Sequence, residues 1–179
     1  MNRPGVFLDR DGVINRAMIR GRKPYPPSSL VELEILPGVP AALQALKAGG
    51  YCLVVVTNQP DIARGIVART VVDSMHDWLK STLPLDAILT CAHDDADQCQ
   101  CRKPLPGLIT QAARDLRVEC TASYMIGDRW RDIEAGRRAG CKTFFIDCGY
   151  DEPAPQSYDF RVDSLPEAAR IILETDTLS

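Results

Sequence analysis

Asp9 and Asp11 stand two residues apart in the run Leu8-Asp9-Arg10-Asp11-Gly12, directly after the apolar Val6-Phe7-Leu8. At the end of a strand, two carboxylates so spaced can point toward one site, with Gly12 permitting the tight turn that follows. One can attack an electrophile while the other handles protons. Asp and Gly are also common in ordinary turns, so this run alone is weak. Three further clusters give it weight. Thr57-Asn58-Gln59 offers a hydroxyl and a backbone N–H for phosphoryl oxygens, Lys103 in Arg102-Lys103-Pro104 a point charge, and Asp128 in Gly127-Asp128 a second carboxylate for a metal. Together these are the parts that phosphoryl transfer requires.

A second chemistry lies between them. Cys91-Ala92-His93 and Cys99-Gln100-Cys101 are two pairs at i and i+2, separated by five residues, so each pair can aim two ligands at one point. A Cys₃His set suggests zinc and leaves no open position on a tetrahedral ion, which makes the expected site structural. It would pin the loop that carries Arg102 and Lys103. The other four of the seven cysteines, Cys52, Cys120, Cys141 and Cys148, read as scattered core residues.

The elements that must position these groups follow from the apolar pattern. After the strand at Val6–Leu8 comes a polar, proline-rich stretch through Gly21-Arg22-Lys23-Pro24-Tyr25-Pro26-Pro27, read as a loop near the chemistry. Val39, Ala42, Leu43 and Leu46 recur at helical spacing, closed by Gly49-Gly50. Cys52 to Val56 is a continuous apolar run, as in a strand buried on both faces. A helix around Thr70 to Lys80, a strand near Ala87 to Thr90 and a helix from Pro106-Gly107 to about Leu116 come next. Then follow a strand at Tyr124-Met125-Ile126, a helix from Asp132 to Ala139 stopped by Gly140, a strand from Thr143 to Ile146, an edge strand at Phe160 to Val162 and a last helix from Pro166 to Leu173. Strands alternating with helices predict an α/β fold, a Rossmann-like, mostly parallel sheet covered by helices on both faces. The polar clusters fall at the carboxyl ends of the strands, where such folds bind ligands.

Size and charge bound the rest. At 179 residues and 45% hydrophobic content the chain suits a single domain over 1–179, expected to be a monomer. A net charge of −3 gives no basic surplus of the kind nucleic acid or an anionic membrane would attract, so the expected partner is a small molecule. With no signal-peptide core, no run of membrane-spanning length and an odd cysteine count, the expected compartment is the cytoplasm.

On Asp9-Arg10-Asp11-Gly12, Thr57-Asn58-Gln59, Arg102-Lys103-Pro104 and Gly127-Asp128, the sequence resembles the haloacid dehalogenase superfamily across almost its whole length. With Phe-Leu-Asp-Arg-Asp-Gly, Val-Val-Val-Thr-Asn-Gln, Ile-Ala-Arg-Gly and Cys-Arg-Lys-Pro, it is similar more narrowly to the group holding the heptose 1,7-bisphosphate and histidinol-phosphate phosphatases. The resemblance implies a capless phosphatase with Asp9 as nucleophile and Asp11 as general acid and base. It further implies magnesium held by Asp9, the Asp11 main-chain carbonyl and Asp128. Thr57 and Lys103 would steady the phosphoryl group, and Arg10, Asn58, Gln59, Arg102 and Arg129 would contact a small phosphorylated sugar, a heptose bisphosphate before histidinol phosphate. Heptose bisphosphate members also carry a Cys-x-His and Cys-x-Cys zinc loop.

Two stretches depart from that group. Pro60-Asp61 stands where its heptose enzymes have Ser-Gly, and Arg20, Arg22 and Lys23 with the rigid prolines occupy the region used to read substrate. Those basic residues suit either a second phosphate or a solvated loop. Asp132 reads as a helix cap rather than a site residue, and His76 as a surface or packed histidine. A receiver-type signalling module also takes phosphate on aspartate, but it needs neither Asp11 nor a zinc loop.

Overall fold

In the computed structural model, which describes residues 3–176, six parallel strands form one sheet in the order β5-β4-β1-β6-β7-β8. The strands are β1 (Gly5–Leu8), β4 (Cys52–Asn58), β5 (Ala87–Cys91), β6 (Tyr124–Gly127), β7 (Lys142–Ile146) and β8 (Phe160–Val162). Between them run the helices α1 (Val39–Ala48), α2 (Arg69–Thr82), α3 (Gly107–Leu116) and α4 (Trp130–Ala139), and α5 (Leu165–Asp176) closes the chain. The predicted strands and helices are thus all present. β4 runs further than its apolar stretch, through Thr57 and Asn58, because both residues still pair with β5.

Side chains alternate across a strand, so each buried strand feeds two cores. Val6 and Leu8 of β1 face α1, α2 and α5, packing with Leu43, Leu46, Met75 and Ile172. Phe7 between them faces the other way, with Val54, Val56 and Met125, toward Leu108, Ile109 and Ala112 of α3 and Ala135 of α4. The sheet is therefore held rigid from both sides. Because β1 connects to β4 on one side and pairs with β6 on the other, the strand order reverses at β1, and a crevice opens beyond its carboxyl end. Asp9 is the next residue.

The proline-rich stretch is not a plain loop, which corrects the expectation. β2 (Met18–Arg20) and β3 (Lys23–Tyr25) form a two-stranded antiparallel hairpin, with Arg20 opposite Lys23. Its two-residue turn places Gly21 at φ 56° and Arg22 at φ 63°, both left-handed, as the twist of a tight hairpin demands. Pro24 is tolerated since each strand of a two-stranded ribbon is an edge. Nor are all four scattered cysteines in the core: Cys52 and Cys141 are buried, Cys120 is half-buried and Cys148 is exposed in the segment after β7.

Aromatic rings tie β6, β7 and β8 to α1's exit: Tyr51 meets Tyr124 at 6.0 Å between ring centroids, Tyr124 meets Phe144 edge-on at 5.8 Å, and Phe144 stacks on Phe160 at 4.5 Å. Phe144 is wholly buried at the centre of this row. Phe144→Ala should lower stability by about 3–5 kcal/mol, measured by denaturant unfolding, through lost burial and the cavity left behind.

Candidate active site

β1 delivers Asp9 to the crevice, and the loop after β5 delivers Lys103 to meet it. The Lys103 ammonium lies 2.6 Å from Asp9 Oδ1 and 2.6 Å from Asp132 Oδ1, and donates to the Val56 carbonyl at 2.8 Å. All three charged side chains are buried. Burial alone would depress the ammonium's pKa, but Asp132 and Asp9 outweigh it and hold it above the usual lysine range. Burial lifts the Asp9 carboxyl to about 6 against the pull of Lys103, and the neighbouring Asp132 and Asp11 add to the rise. Asn58 fixes the lysine's backbone: its amide donates to the Lys103 carbonyl at 3.0 Å and accepts from the Lys103 N–H at 3.1 Å.

Asp128, at the end of β6, is buried with neither oxygen accepting a well-formed hydrogen bond, although the Tyr150 hydroxyl lies beside it. Burial, then Asp9 and Asp132, push its pKa well above the carboxylate range. Carboxylate oxygens of Asp9, Asp128 and Asp132 lie within 4.8 Å of one another. This hard oxygen set, in which Asp128 is buried and unpaired, fits a magnesium ion, whose charge would offset the burial and the mutual repulsion that raise Asp9 and Asp128. Two glycines make the approach possible: a Cβ on Gly12 would collide with the Asp128 carboxylate, and one on Gly127 with Asp132.

Asp11 lines the same cleft, gripped from three sides. Arg10 Nε and Nη2 donate to Asp11 Oδ1 at 3.1 and 3.0 Å, Asn15 Nδ2 donates to Oδ1 at 2.9 Å, and Gln59 Nε2 donates to Oδ2 at 3.0 Å. Gln59 also donates to Thr57 Oγ1 at 2.9 Å, linking the two. Arg10 and Gln59 were expected as substrate contacts, and here the geometry differs. The Arg10 side chain is wholly buried and Gln59 nearly so, and neither lines the cleft: their donors are turned onto Asp11. Thr57, expected to steady the phosphoryl group, is likewise buried beneath the cleft lining and accepts from Gln59.

The cleft, about 260 Å³, is floored by Asp9, Asp11, Lys103 and Asp132 and walled by Asn58, Pro60 and the hairpin residues Lys23, Pro24 and Tyr25. Its rim is cationic on balance, with Arg64, Arg102, Arg129 and Arg131 set among Asp61, Asp95 and Glu152. Each arginine is steadied by an acid: Arg102 Nε donates to Asp95 at 2.8 Å, Arg129 Nε to Glu152 at 2.8 Å, Arg64 Nε to Asp94 at 2.7 Å, and Arg131 pairs with Asp95 at 3.7 Å.

Beside it, the four thiol-loop residues converge. Cys101 Sγ lies 3.0 Å from Cys91 Sγ and 3.5 Å from Cys99 Sγ, and His93 Nδ1 lies 3.3 Å from Cys101 Sγ. A tetrahedral ion with ligand bonds of ~2.3 Å sets its sulfurs about 3.8 Å apart, so the cluster fits one zinc. Burial opposes it, yet hydrogen bonds from Cys101, the Arg102 backbone and Cys91 lower the Cys99 thiol to about 7, whereas burial holds the Cys91 and Cys101 thiols above their ordinary range.

Residues 28–140 match the haloacid dehalogenase-like hydrolase family. The chain belongs to that family. It is 36% identical over 152 residues to a D-glycero-beta-D-manno-heptose-1,7-bisphosphate 7-phosphatase of Yersinia pestis, covering 78% of each chain. It is 32% identical over 181 residues to a protein of the same name from Pasteurella multocida, covering 93% of this chain and 95% of that one. Among solved structures it is similar to D,D-heptose 1,7-bisphosphate phosphatase from B. bronchiseptica complexed with magnesium and phosphate, with TM-score 0.78, 28% identity and 96% and 99% coverage. A HAD-like phosphatase from Mesorhizobium loti gives TM-score 0.77 at 29% identity, over 97% of this chain and 87% of that one.

As a haloacid dehalogenase-like hydrolase, the chain holds site residues that its motifs alone did not reveal. Asp132 does cap α4, accepting from the Arg129 N–H at 3.0 Å, but its other oxygen holds Lys103, so cap and site role coincide. Its spacing of four from Asp128 was the available signal. Arg64, Arg131 and Glu152 join the cleft only through tertiary contacts. His76 is buried rather than on the surface, with Nε2 3.0 Å from Arg10 Nη1.

Burial and then Arg10 lower His76 to about 4, so it is neutral near pH 7. Stability from this residue is full above its unfolded pKa near 6.5 and falls as pH drops toward 4, by on the order of 3 kcal/mol in all. The raised pKa of Asp9 acts in the opposite sense, so the difference between wild type and His76→Gln isolates it. In thermal unfolding from pH 8 to 4, wild type should lose more stability than His76→Gln.

Proposed function

We propose that this hydrolase is a magnesium-dependent phosphatase that works through a phospho-aspartate on Asp9, converting D-glycero-D-manno-heptose 1,7-bisphosphate to heptose 1-phosphate. The observation that carries the reading is that Asp9 and Asp11 share one cleft whose rim is cationic, beside the orphaned Asp128. Names of the relatives supply the sugar, and an arginine-rich rim suits a substrate bearing a second phosphate.

In this scheme Asp9 attacks phosphorus in line while Asp11 gives its proton to the departing sugar oxygen. Asp11 then takes a proton from the water that hydrolyses the phospho-aspartate, and Asp9 is restored. Lys103, Thr57 and Asn58 offset charge on the phosphoryl oxygens, and Arg102 and Arg129 hold the remainder of the substrate. Magnesium bound by Asp9, Asp128 and the Asp11 main-chain carbonyl would supply the positive charge that lets two anions meet. Asp132 keeps Lys103 aimed at Asp9.

Among the described residues no helix is long and apolar enough to cross a membrane, and the thiol-rich loop suits a reducing cytoplasm, which we propose as its compartment.

Asp9→Asn should abolish turnover, and Asp11→Asn should lower kcat by about 10²–10⁴. These are measured as phosphate release from both anomers of heptose bisphosphate, histidinol phosphate and hexose and glycerol phosphates, with and without chelator. Equal kcat/KM across the panel would leave only a general phosphatase, and a stable phospho-aspartate without turnover would point to a receiver.

We propose zinc for the Cys91, His93, Cys99 and Cys101 cluster, acting on catalysis only through the loop that presents Lys103. Elemental analysis of the wild type should show roughly one zinc per chain, and Cys99→Ser should lose it, lower the Tm and reduce kcat on the order of tenfold, as loss of a metal-supported contact does. Retained zinc and activity would rule the site out.

A further inference from the structure

A buried histidine stands behind the proposed acid–base group, and nothing in the scheme above uses it. His76 projects from α2, on the far side of Arg10 from Asp11, and does not line the cleft. Arg10 joins the two. Its side chain is wholly buried, and its planar guanidinium divides its donors: Nε and Nη2 go to the Asp11 carboxylate at 3.0 to 3.1 Å, and Nη1 goes to His76 Nε2 at 3.0 Å. Since a guanidinium only donates, Nε2 of His76 is the acceptor, and the ring's single proton sits on Nδ1. That nitrogen faces Thr90 Oγ1 on β5 at 3.4 Å. The lowered pKa of His76 agrees with a neutral ring that accepts from a cation.

We propose that His76 is a positioning residue for proton transfer: it fixes the plane of the Arg10 guanidinium, and Arg10 thereby fixes the Asp11 carboxyl against the leaving oxygen. A guanidinium fork holds a carboxylate only while its own rotation is stopped, and the third donor, on His76, is what stops it. Without that acceptor a buried N–H is left unpaired, and the fork turns or shifts to satisfy it. A small misplacement of a catalytic group is enough to lose rate. The affected step is the first one. As the bond from Asp9 oxygen to phosphorus forms, the bond from phosphorus to the sugar oxygen breaks, and that oxygen keeps the electron pair and takes the Asp11 proton.

This rests on Asp11 being the acid, and the leaving group separates the two claims. An alkoxide needs a proton to depart, whereas 4-nitrophenolate leaves without one. For each variant, kcat/KM is measured for heptose 1,7-bisphosphate and for 4-nitrophenyl phosphate, since this ratio reports the steps through phosphorylation of Asp9. His76→Met should lower kcat/KM for the sugar phosphate about tenfold, part of the 10²–10⁴ that acid catalysis supplies, and leave the aryl ester within about twofold. His76→Gln, which keeps an acceptor near the position of Nε2, should retain most of the sugar phosphate activity. His76→Asn, whose carbonyl falls short of Arg10, should behave as His76→Met, so the test survives if the apolar variant does not fold.

Asp11→Asn is the control and should show the same selectivity, more strongly. If it does while His76→Met and His76→Asn lose equally on both esters, or on neither, the histidine merely packs and the inference is overturned. A His76→Gln variant no better than His76→Asn overturns it as well. If Asp11→Asn lacks the selectivity, the reading of Asp11 fails and takes this inference with it.

Discussion

The rest of the site depends on one buried ammonium. Lys103 is held between Asp9 and Asp132 at 2.6 Å from each, in a place where three buried carboxylates converge and little water reaches. An unpaired buried charge of this kind costs about 3–5 kcal/mol when its partner is lost, so none of the three can be placed independently of the others. Their carriers are far apart in sequence: Asp9 follows β1, Lys103 sits between β5 and α3, and Asp132 lies in the first turn of α4. Parallel strands packed from both sides bring them within reach, and that rigidity is what the two apolar cores provide.

Charge is layered from this point outward. Burial first, and then the crowding of carboxylates that Lys103 only partly balances, shift Asp9 and Asp128 upward, and a divalent cation fits there. The rim is cationic, but every rim arginine has an acidic neighbour that holds its fork in a set direction. Arginines held this way lose little further freedom when they meet a phosphate. Asp11 lies between the layers, and its donors come from Arg10, Asn15 and Gln59, none of which lines the cleft.

Two peripheral elements shape the cleft without belonging to the sheet. The thiol loop ends at Cys101, two residues before Lys103, so anything that orders the loop orders the ammonium. The hairpin β2–β3 leans Lys23 and Tyr25 over the opening from the other side, stiffened by a left-handed two-residue turn. Among the described residues these two are what narrows the entrance.

By itself the sequence determined the alternation of strands and helices, because buried parallel strands leave continuous apolar runs and helices leave a 3.6-residue stripe. It also singled out Asp9, Asp11, Lys103, Asp128 and the four thiol-loop residues that the structure brings together in two clusters, since each sits at a strand end, in the loop beyond one or at a spacing that local chain geometry imposes. The hairpin escaped because a three-residue strand bearing a proline carries too little alternation to register. What only the tertiary structure decided is which way the polar side chains turn. Arg10 and Gln59 adjoin the reactive groups in sequence yet point into the protein, because their donors are needed to satisfy Asp11 in a buried setting. Asp132 and His76 gain their partners across elements 29 and 66 residues away, Lys103 and Arg10, a relation set by how α4 and α2 pack and not by any local pattern.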